Sequence, residues 1–150
     1  VNTILAPDRS DWAVSWRAGA LVYATRRLDL RAAAYTGLRL PTLNELYRPF
    51  VVFPVVTEAN AALANERLEG FEVGLDWQPV NALVLSLTAF DNKVENAIAN
   101  VTIAPNLRRR ENLPAIDARG IEASIAAKLG TVSIDGSLAW TDAAVQGIIE

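Results

Sequence analysis

Apolar and polar residues alternate along six segments of the chain, and a period of two indicates β-strands with two unlike faces. In the third segment, Phe71, Val73 and Leu75 share one face, and Glu72 and Asp76 lie on the other. The same alternation fits a half-buried soluble sheet and a membrane barrel whose apolar face meets lipid. The predicted strands are 12–24, 28–38, 69–78, 82–94, 116–129 and 132–141.

The apolar faces of these strands are predicted to carry no charge and to be rich in Ala, which is small for the middle of a soluble core. Several strands exceed the usual soluble length of about 5 or 6 residues and reach the roughly 9 to 11 residues of a tilted membrane strand. The charged residues within the strands are expected on the opposite face: Arg17, Asp29, Arg31, Glu72, Asp76, Glu122, Lys128 and Asp135. The pattern therefore favours a transmembrane barrel.

Short and long connections alternate between the predicted strands. The short turns are at 25–27, 79–81 and 130–131, and the long connections are at 39–68 and 95–115. Outer-membrane barrels join their strands in this way, whereas a loop of about 30 residues is unusual in a compact soluble domain. The spacing of Thr42 and Glu45 is that of a capping box and predicts a helix start. The composition of 57–71 also favours a helix.

Aromatic residues and glycines add expectations about the two ends and the inner side of the sheet. Trp77 is expected near the periplasmic interface, and Trp12 and Trp140 near the outer one, because an indole ring is apolar but has an N–H to satisfy. Trp16 is predicted to lie further in. On the polar face, Gly70 and Gly74 would leave room for the backbone of another segment of the same protein to approach closely, or would relieve strand coiling.

Composition and charge exclude several classes of function. The 150 residues are 51% hydrophobic with a net charge of −3, and the only basic run is Arg108–Arg110, so nucleic acid is not expected as a partner. The chain has no Cys and no His, which removes thiolate and imidazole chemistry. No catalytic residue, metal ligand or cofactor is predicted, and the protein is not expected to be an enzyme. The longest apolar run, 50–56, is far short of the roughly 20 residues of a membrane helix.

Four stretches in order resemble the C-terminal half of the barrel of TonB-dependent outer-membrane receptors. They are GLRLPTLNELYRPF (37–50), LANERLEGFEVGLDWQP (63–79), LSLTAFDNKVENAIAN (85–100) and NLPAIDARGIEASIAAKLG (112–130). The family commonly has a PTLNELY-like segment, an EGxExG strand, an AFxN strand end and an NxxxxxxxGxE strand start. One departure is LeuAlaAsnGlu at 63–66, where the family usually has Lys and Pro before the Glu.

The resemblance implies an all-β fold of antiparallel up-and-down strands, with 1–150 forming part of one transmembrane barrel of about six strands and lacking the plug domain. Six strands cannot close, because the smallest membrane barrels have about 8. The complete family barrel, of about 22 strands, takes up a scarce ligand such as a siderophore, cobalamin or a glycan. The chain alone is therefore expected not to transport. A porin-like channel and a soluble all-β binding module made of two packed sheets are the alternatives.

The resemblance also implies a location and partners. The location is the outer membrane of a diderm bacterium. The partners are membrane lipid and lipopolysaccharide, the plug of the same protein, TonB through a segment outside this chain, and a small-molecule ligand. Because external loops carry binding chemistry, the candidate ligand-binding residues are Asn44, Glu45, Tyr47, Arg48, Arg108, Arg109 and Arg110. Structural roles compete with this: Glu45 would cap a turn, and the Arg run would contact lipopolysaccharide phosphates.

Overall fold

A single sheet with one short helix makes up the fold, in a computed structural model that describes residues 10–147. No helix in this range is long and apolar enough to cross a membrane. Residues 12–16, predicted to open the first strand, precede it instead. The elements are β1 (Arg17–Thr25), β2 (Leu28–Arg39), α1 (Leu43–Tyr47), β3 (Phe50–Val52), β4 (Val55–Glu58), β5 (Glu66–Val80), β6 (Leu83–Ala104), β7 (Leu107–Leu129) and β8 (Val132–Gln146).

The six long strands form an antiparallel up-and-down sheet in the order β1-β2-β5-β6-β7-β8, as predicted. Tight turns join β1 to β2, β5 to β6 and β7 to β8 at one end, which we call the turn end. The opposite end is the loop end. There β3 and β4 form a small hairpin, and β4 pairs in parallel with the first residues of β7, on the edge that β8 occupies further along.

The loop predicted at 95–115 is wrong, because β6 and β7 continue through this range and pair along it. Only Pro105 and Asn106 connect them, and Asn106 has a φ of 59°, a conformation that Asn tolerates better than most residues. We call 95–104 with 107–115 the hairpin extension. The helix predicted at 57–71 is also wrong, because the range lies in β4, an irregular segment and β5.

Cross-strand pairing confirms that the predicted apolar residues share one face. Leu30 lies opposite Leu75, Leu75 opposite Leu87, and Leu87 opposite Ala123, which in turn faces Leu138. We call this side the band face and its apolar part the band; the other side is the polar face. The band side chains are exposed or half-buried, because one sheet layer has nothing packed on it among residues 10–147.

The prediction that the apolar face carries no charge is correct for the half of the sheet near the turn end. It is wrong for the half near the loop end. Towards the loop end, the alternation continues without a break and places Glu69, Asp91, Lys93 and Arg119 on the band face. In β6 and β7 the change is abrupt: Ile121 and Ala89 face each other in the last apolar pair, and the next pair on this face is Asp91 with Arg119. In β5 the apolar side chains extend one position further, because Phe71 lies opposite Asp91. The strands are therefore longer than the band is tall.

Trp16 lies nearer the loop end than predicted, because its backbone N–H and C=O both pair with Thr36 just before β1 begins. Trp140 faces Ile121 in the apolar row next to the charged residues. Trp77 lies beside the turn end, opposite Leu28, as predicted. Trp12 lies outside the strands. Trp77 and Trp140 thus lie at the two limits of the band rather than in its middle.

The glycines on the polar face are covered by side chains from neighbouring strands. A Cβ at Gly70 would overlap the ring of Tyr35, whose hydroxyl donates to Asn92 Oδ1 at 3.1 Å. A Cβ at Gly74 would likewise meet the guanidinium of Arg31. The space expected at these two positions is thus filled from within the sheet. An aromatic side chain that covers a strand glycine stabilises the strand pairing.

Candidate functional site

The loop-end connection 40–65, which we call the docked loop, folds onto the hairpin extension. Arg110 and Asn112 in the extension belong to the alternation that continues the polar face, so the loop crosses this face rather than the band face. The buried side chains among residues 10–147 lie in the docked loop and in the hairpin extension: Leu46, Thr57, Leu63, Ala97, Arg110 and Ala115. The described part of the chain therefore has its core at the loop end and not in the band.

Helix α1 begins at the predicted capping box. The Thr42 Oγ1 atom accepts a hydrogen bond from the Glu45 backbone N–H at 3.2 Å, and Glu45 Oε2 accepts from the Thr42 N–H at 2.7 Å. Both interactions satisfy N–H groups that a helix start otherwise leaves unpaired. The helix is a short turn, but its cap orients Leu46 into the loop-end core.

Glu45 also belongs to a charged network that ties the docked loop to the sheet. Arg39 Nη2 donates to Glu45 Oε1 at 2.7 Å, and Arg39 Nη1 contacts Glu66 Oε2 at 3.0 Å. Glu66 Oε1 in turn accepts from the backbone N–H of Ile98 in the hairpin extension at 2.6 Å. Burial raises the pKa of Glu45, but the Thr42 hydrogen bonds and the Arg39 guanidinium outweigh it and leave the pKa below its ordinary value.

Arg110 is the central side chain of the contact. Its Nη1 donates to the backbone oxygen of Asn44 at 2.6 Å and to that of Arg48 at 3.0 Å, just beyond α1. The guanidinium also lies over the Phe50 ring, 5.0 Å from its centroid. Only 8% of Arg110 is exposed. A planar group that stacks on a ring while it donates two hydrogen bonds from one nitrogen suits Arg and not Lys.

Two asparagines extend the pairing between loop and hairpin. Asn112 accepts from the Ala64 N–H at 2.7 Å and donates to the Ala64 oxygen at 3.1 Å, so its amide acts like a neighbouring strand. Asn60 donates from Nδ2 to the backbone oxygen of Arg110 at 2.9 Å. Ala64 lies in the LeuAlaAsnGlu stretch that departs from the family pattern. The conformation there is held by these contacts without the usual Lys and Pro.

The structure brings together residues that the sequence placed in separate loops. Asn44 and Arg48 contact Arg110, while Arg108 and Arg109 lie in β7 beside β4 and not in a loop. Both are exposed, and Arg109 Nε donates to Glu111 Oε1 at 2.9 Å. Tyr47, the last residue of α1, is 40% exposed. Ligand binding by the seven candidate residues stays a prediction.

Sequence reasoning missed four residues of the site: Arg39, Asn60, Glu66 and Asn112. Their partners are 6 to 50 positions away along the chain, as in Arg39 with Glu45 and Asn60 with Arg110. The sequence carries only a weak signal that these four residues belong to the site. Arg39 and Glu66 each stand at the loop-end terminus of a predicted or observed strand, where a charged residue is most often solvated.

An exposed apolar surface adjoins the site at the β3–β4 hairpin. Val51 and Val52 are exposed, and Phe53, at the tip, has 93% of its surface accessible. The peptide bond from Phe53 to Pro54 is cis. Within residues 10–147, no group of three or more acidic side chains is close enough to hold a metal ion. The loop end thus offers exposed apolar side chains next to guanidinium groups.

Comparison with known proteins places the chain in a family. Residues 2–148 match the family model described as TonB dependent receptor-like, beta-barrel, and the chain belongs to this family. The family consists of receptors and transporters that bind small molecules, not of enzymes. A porin-like channel and a soluble module of two sheets are accordingly not favoured. No curated protein matched the chain.

Solved structures share the fold. The chain is similar to the siderophore receptor PirA from Pseudomonas aeruginosa, with 20% identity and a TM-score of 0.73 over 87% of this chain and 25% of that one. It is also similar to the ferric enterobactin receptor PfeA from Pseudomonas aeruginosa, with 19% identity and a TM-score of 0.68 over 85% and 22%. The FrpB iron transporter from Neisseria meningitidis matches at 16% identity and a TM-score of 0.65 over 87% and 20%. The chain spans about a quarter or less of these structures' length.

Proposed function

We propose that residues 1–150 are part of the barrel of an outer-membrane receptor that imports an anionic iron-carrying small molecule, with TonB supplying the energy. Family membership over residues 2–148 is the observation that carries this proposal. The solved structures with this fold include siderophore receptors and an iron transporter. Cobalamin and glycans, the other ligand classes expected for the family, are less suited to the guanidinium groups at the loop end.

The chemistry of the two faces of the sheet indicates what lies against each of them. The band face, uncharged from the turn end up to the row of Ile121 and Ala89, suits lipid hydrocarbon. Among residues 10–147, β1 and β8 each have an edge without a strand partner, and further strands of the same protein would pair with these edges. The polar face would then meet the plug, and TonB would act through a segment outside this chain.

The proposed binding role is divided among the seven candidate residues. Tyr47, Arg48, Arg108 and Arg109 are exposed and would contact the ligand. Asn44, Glu45 and Arg110 would act indirectly, because their hydrogen bonds hold the docked loop in place. Guanidinium groups bind carboxylates and other planar anions with two parallel hydrogen bonds. This chemistry favours an anionic ligand over a neutral one.

Iron uptake by cells tests the proposal. The full-length gene that contains this chain would be deleted, and uptake of radiolabelled iron would be measured with catecholate and with hydroxamate siderophores under iron limitation. We expect the deletion to abolish uptake with the catecholate siderophore, whose iron complex is anionic, and to leave uptake with the hydroxamate, whose iron complex is uncharged, as it was. Loss of TonB should likewise abolish the catecholate uptake. If the purified receptor instead conducts ions as an open pore in planar bilayers, and its deletion leaves all uptake unchanged, the receptor assignment is refuted.

A second experiment tests the binding residues. In the full-length receptor, Arg48→Gln with Arg108→Gln should weaken binding of the imported siderophore by as much as about thirtyfold, since each exposed charged contact contributes up to about 1 kcal/mol. The matched control is Arg26→Gln with Lys128→Gln, which removes the same charge from exposed residues at the turn end. Equal affinities in both double variants would exclude Arg48 and Arg108 from the binding site.

A further inference from the structure

The β3–β4 hairpin carries exposed apolar side chains on the side of the sheet that continues the polar face. Strand pairing identifies this side: Phe50 lies opposite Thr57 in β4, and Thr57 lies opposite Arg108 in β7. Directly opposed residues point to the same side of a sheet, as do residues two positions apart on one strand. Val52 therefore shares the side of Phe50 and Arg108.

The contact between Arg110 and Phe50 agrees with this assignment. Arg110 lies two positions after Arg108 on β7, and its guanidinium covers one side of the Phe50 ring. Val52 is 67% exposed on the same side, whereas Val51, which is 63% exposed, points to the other. We call three residues of the hairpin the apolar shelf: Phe50, Val52 and the tip residue Phe53.

The shelf is fixed in place by the strands beneath it. β4 pairs with the first residues of β7, and the Val56 N–H also donates to the backbone oxygen of Asn106 at 2.9 Å. Thr57, between Phe50 and β7, is buried. The hairpin is thus ordered although its apolar side chains are open to water. An ordered apolar surface of this kind marks a place where another molecule packs, because covering it removes apolar area from water.

Two exposed guanidinium groups flank the shelf. Arg48 precedes Phe50 by two positions along the chain. Arg108 lies two strands across from Phe50, which is roughly 10 Å at the usual spacing of neighbouring strands. These two arginines are the residues proposed above to contact the anion. The shelf is therefore continuous with the proposed anion site and lies on the same side of the sheet as Arg108.

We propose that the imported iron carrier is an amphiphile, with an anionic head that contacts Arg48 and Arg108 and an aliphatic chain that lies on the apolar shelf. The inference rests on the proposed function and narrows its ligand class. The head would pair with the guanidinium groups through charged hydrogen bonds. The chain would pack on Val52 and Phe53, beginning roughly 10 Å from the group bound by Arg108.

Two features favour a ligand chain as the occupant of the shelf. The three shelf side chains have no hydrogen-bonding group, so they suit methylene groups, whereas a polar ligand part covered there would lose its hydrogen bonds to water. A further loop of the same protein laid over the shelf would also cover the flanking Arg48 and Arg108. The proposed function requires both arginines to be open to the ligand.

Binding of two iron complexes to the purified full-length receptor in lipid nanodiscs tests the inference. Both complexes contain the same catecholate siderophore, and one also carries a chain of about six carbons on a spacer of roughly 10 Å. A CH₂ group fully removed from water contributes about fourfold to binding, and a chain on an open shelf loses only part of its exposure. We therefore expect the chain to strengthen binding about tenfold. Empty nanodiscs measure how much of the chain enters lipid, and this background is subtracted.

A pair of neighbouring substitutions locates the chain on the shelf. Val52→Ser should lower the gain from the chain to about threefold or less and leave the affinity for the chain-free complex unchanged. The matched control is Val51→Ser, the same substitution at a similarly exposed position on the opposite side, and it should keep the full gain. Because the gain is a ratio within one variant, a general effect of the substitution on the receptor cancels.

Each outcome decides between the proposals. An equal gain in Val52→Ser and Val51→Ser overturns the inference. Equal binding of both complexes by the unmodified receptor overturns it as well, and this result needs no substitution to fold. A receptor that binds and imports the chain-free complex but gains nothing from the chain refutes only the shelf. If neither complex binds and catecholate uptake does not depend on the gene, the proposed function fails and the inference fails with it.

Discussion

Replacing Arg110 with Met should release the docked loop from the hairpin extension while leaving the long sheet intact. Met has a comparable length and fills the space beside Phe50, but it cannot donate to the backbone oxygens of Asn44 and Arg48. The matched control is Arg108→Met, the same substitution on the same strand at an exposed position.

The structure sets the size of the effect. Arg110 makes two hydrogen bonds from a charged donor, and each contributes about 1.5 to 3 kcal/mol. Its contact with the Phe50 ring adds about 0.5 to 2 kcal/mol. Asn44 and Arg48 are exposed, so water replaces part of the lost bonding. We therefore expect the free energy of loop opening to fall by about 3 kcal/mol.

Hydrogen exchange measured by mass spectrometry on the full-length receptor reports this opening peptide by peptide. Since 1.4 kcal/mol is a factor of ten, amides of residues 42–63 should exchange about a hundredfold faster in Arg110→Met. Peptides from β5 and from the band part of β6 should exchange as before, and Arg108→Met should change the loop by less than about threefold. Equal exchange of the loop in both variants would refute the assignment of Arg110 to its core.

Three further predictions concern the band, the glycines and acid. Leu75→Arg should lower stability in a bilayer folding assay by about 2 to 4 kcal/mol, and a loss below about 0.5 kcal/mol would contradict the lipid-facing band. Gly70→Ala should cost about 1 to 3 kcal/mol because its Cβ overlaps the Tyr35 ring, and a double variant with Tyr35→Ala should recover much of this loss in the same assay. The docked loop should lose protection from hydrogen exchange as the pH falls through the lowered pKa of Glu45, because a carboxyl with a depressed folded pKa stabilises only while ionised. Glu45→Gln should flatten this dependence, and an unchanged pH profile would exclude Glu45 as its source.

The strands of the band could be predicted because their two faces differ in chemistry. Leu75 and Leu87 alternate with Asp76 and Thr88, and this contrast sets both the strands and their register. The hairpin extension lacks such a contrast, since Ile98 shares a face with Arg110 and Asn112. Asn96, Pro105 and Pro114 also interrupt it. Alternation of apolar and polar residues identifies a strand only when its two faces differ. It therefore does not identify the strands of the hairpin extension, and a loop is predicted there although β6 and β7 are the longest strands of the chain.

The site was predictable in its residue types and not in its contacts. The capping box at Thr42 is local in sequence, so spacing alone predicted it. Arg110 is different: it belongs to a basic run that is ordinarily solvated, and its partner Asn44 is 66 positions away. Only the folding of the docked loop over the polar face brings the two together. Tertiary contacts of this kind carry no signal in a single sequence.

The long sheet and the loop end differ in whether they bury their own side chains. The long sheet buries little among residues 10–147, because its band face and its edges require surroundings that other molecules or further strands supply. The loop end instead buries Leu46 and Leu63 of the docked loop and Arg110 of the hairpin extension. A loop that carries its own core holds its shape before a ligand arrives, which lowers the ordering cost of binding. The exposed Arg48 and Arg108 would then recognise an anion from a preformed surface.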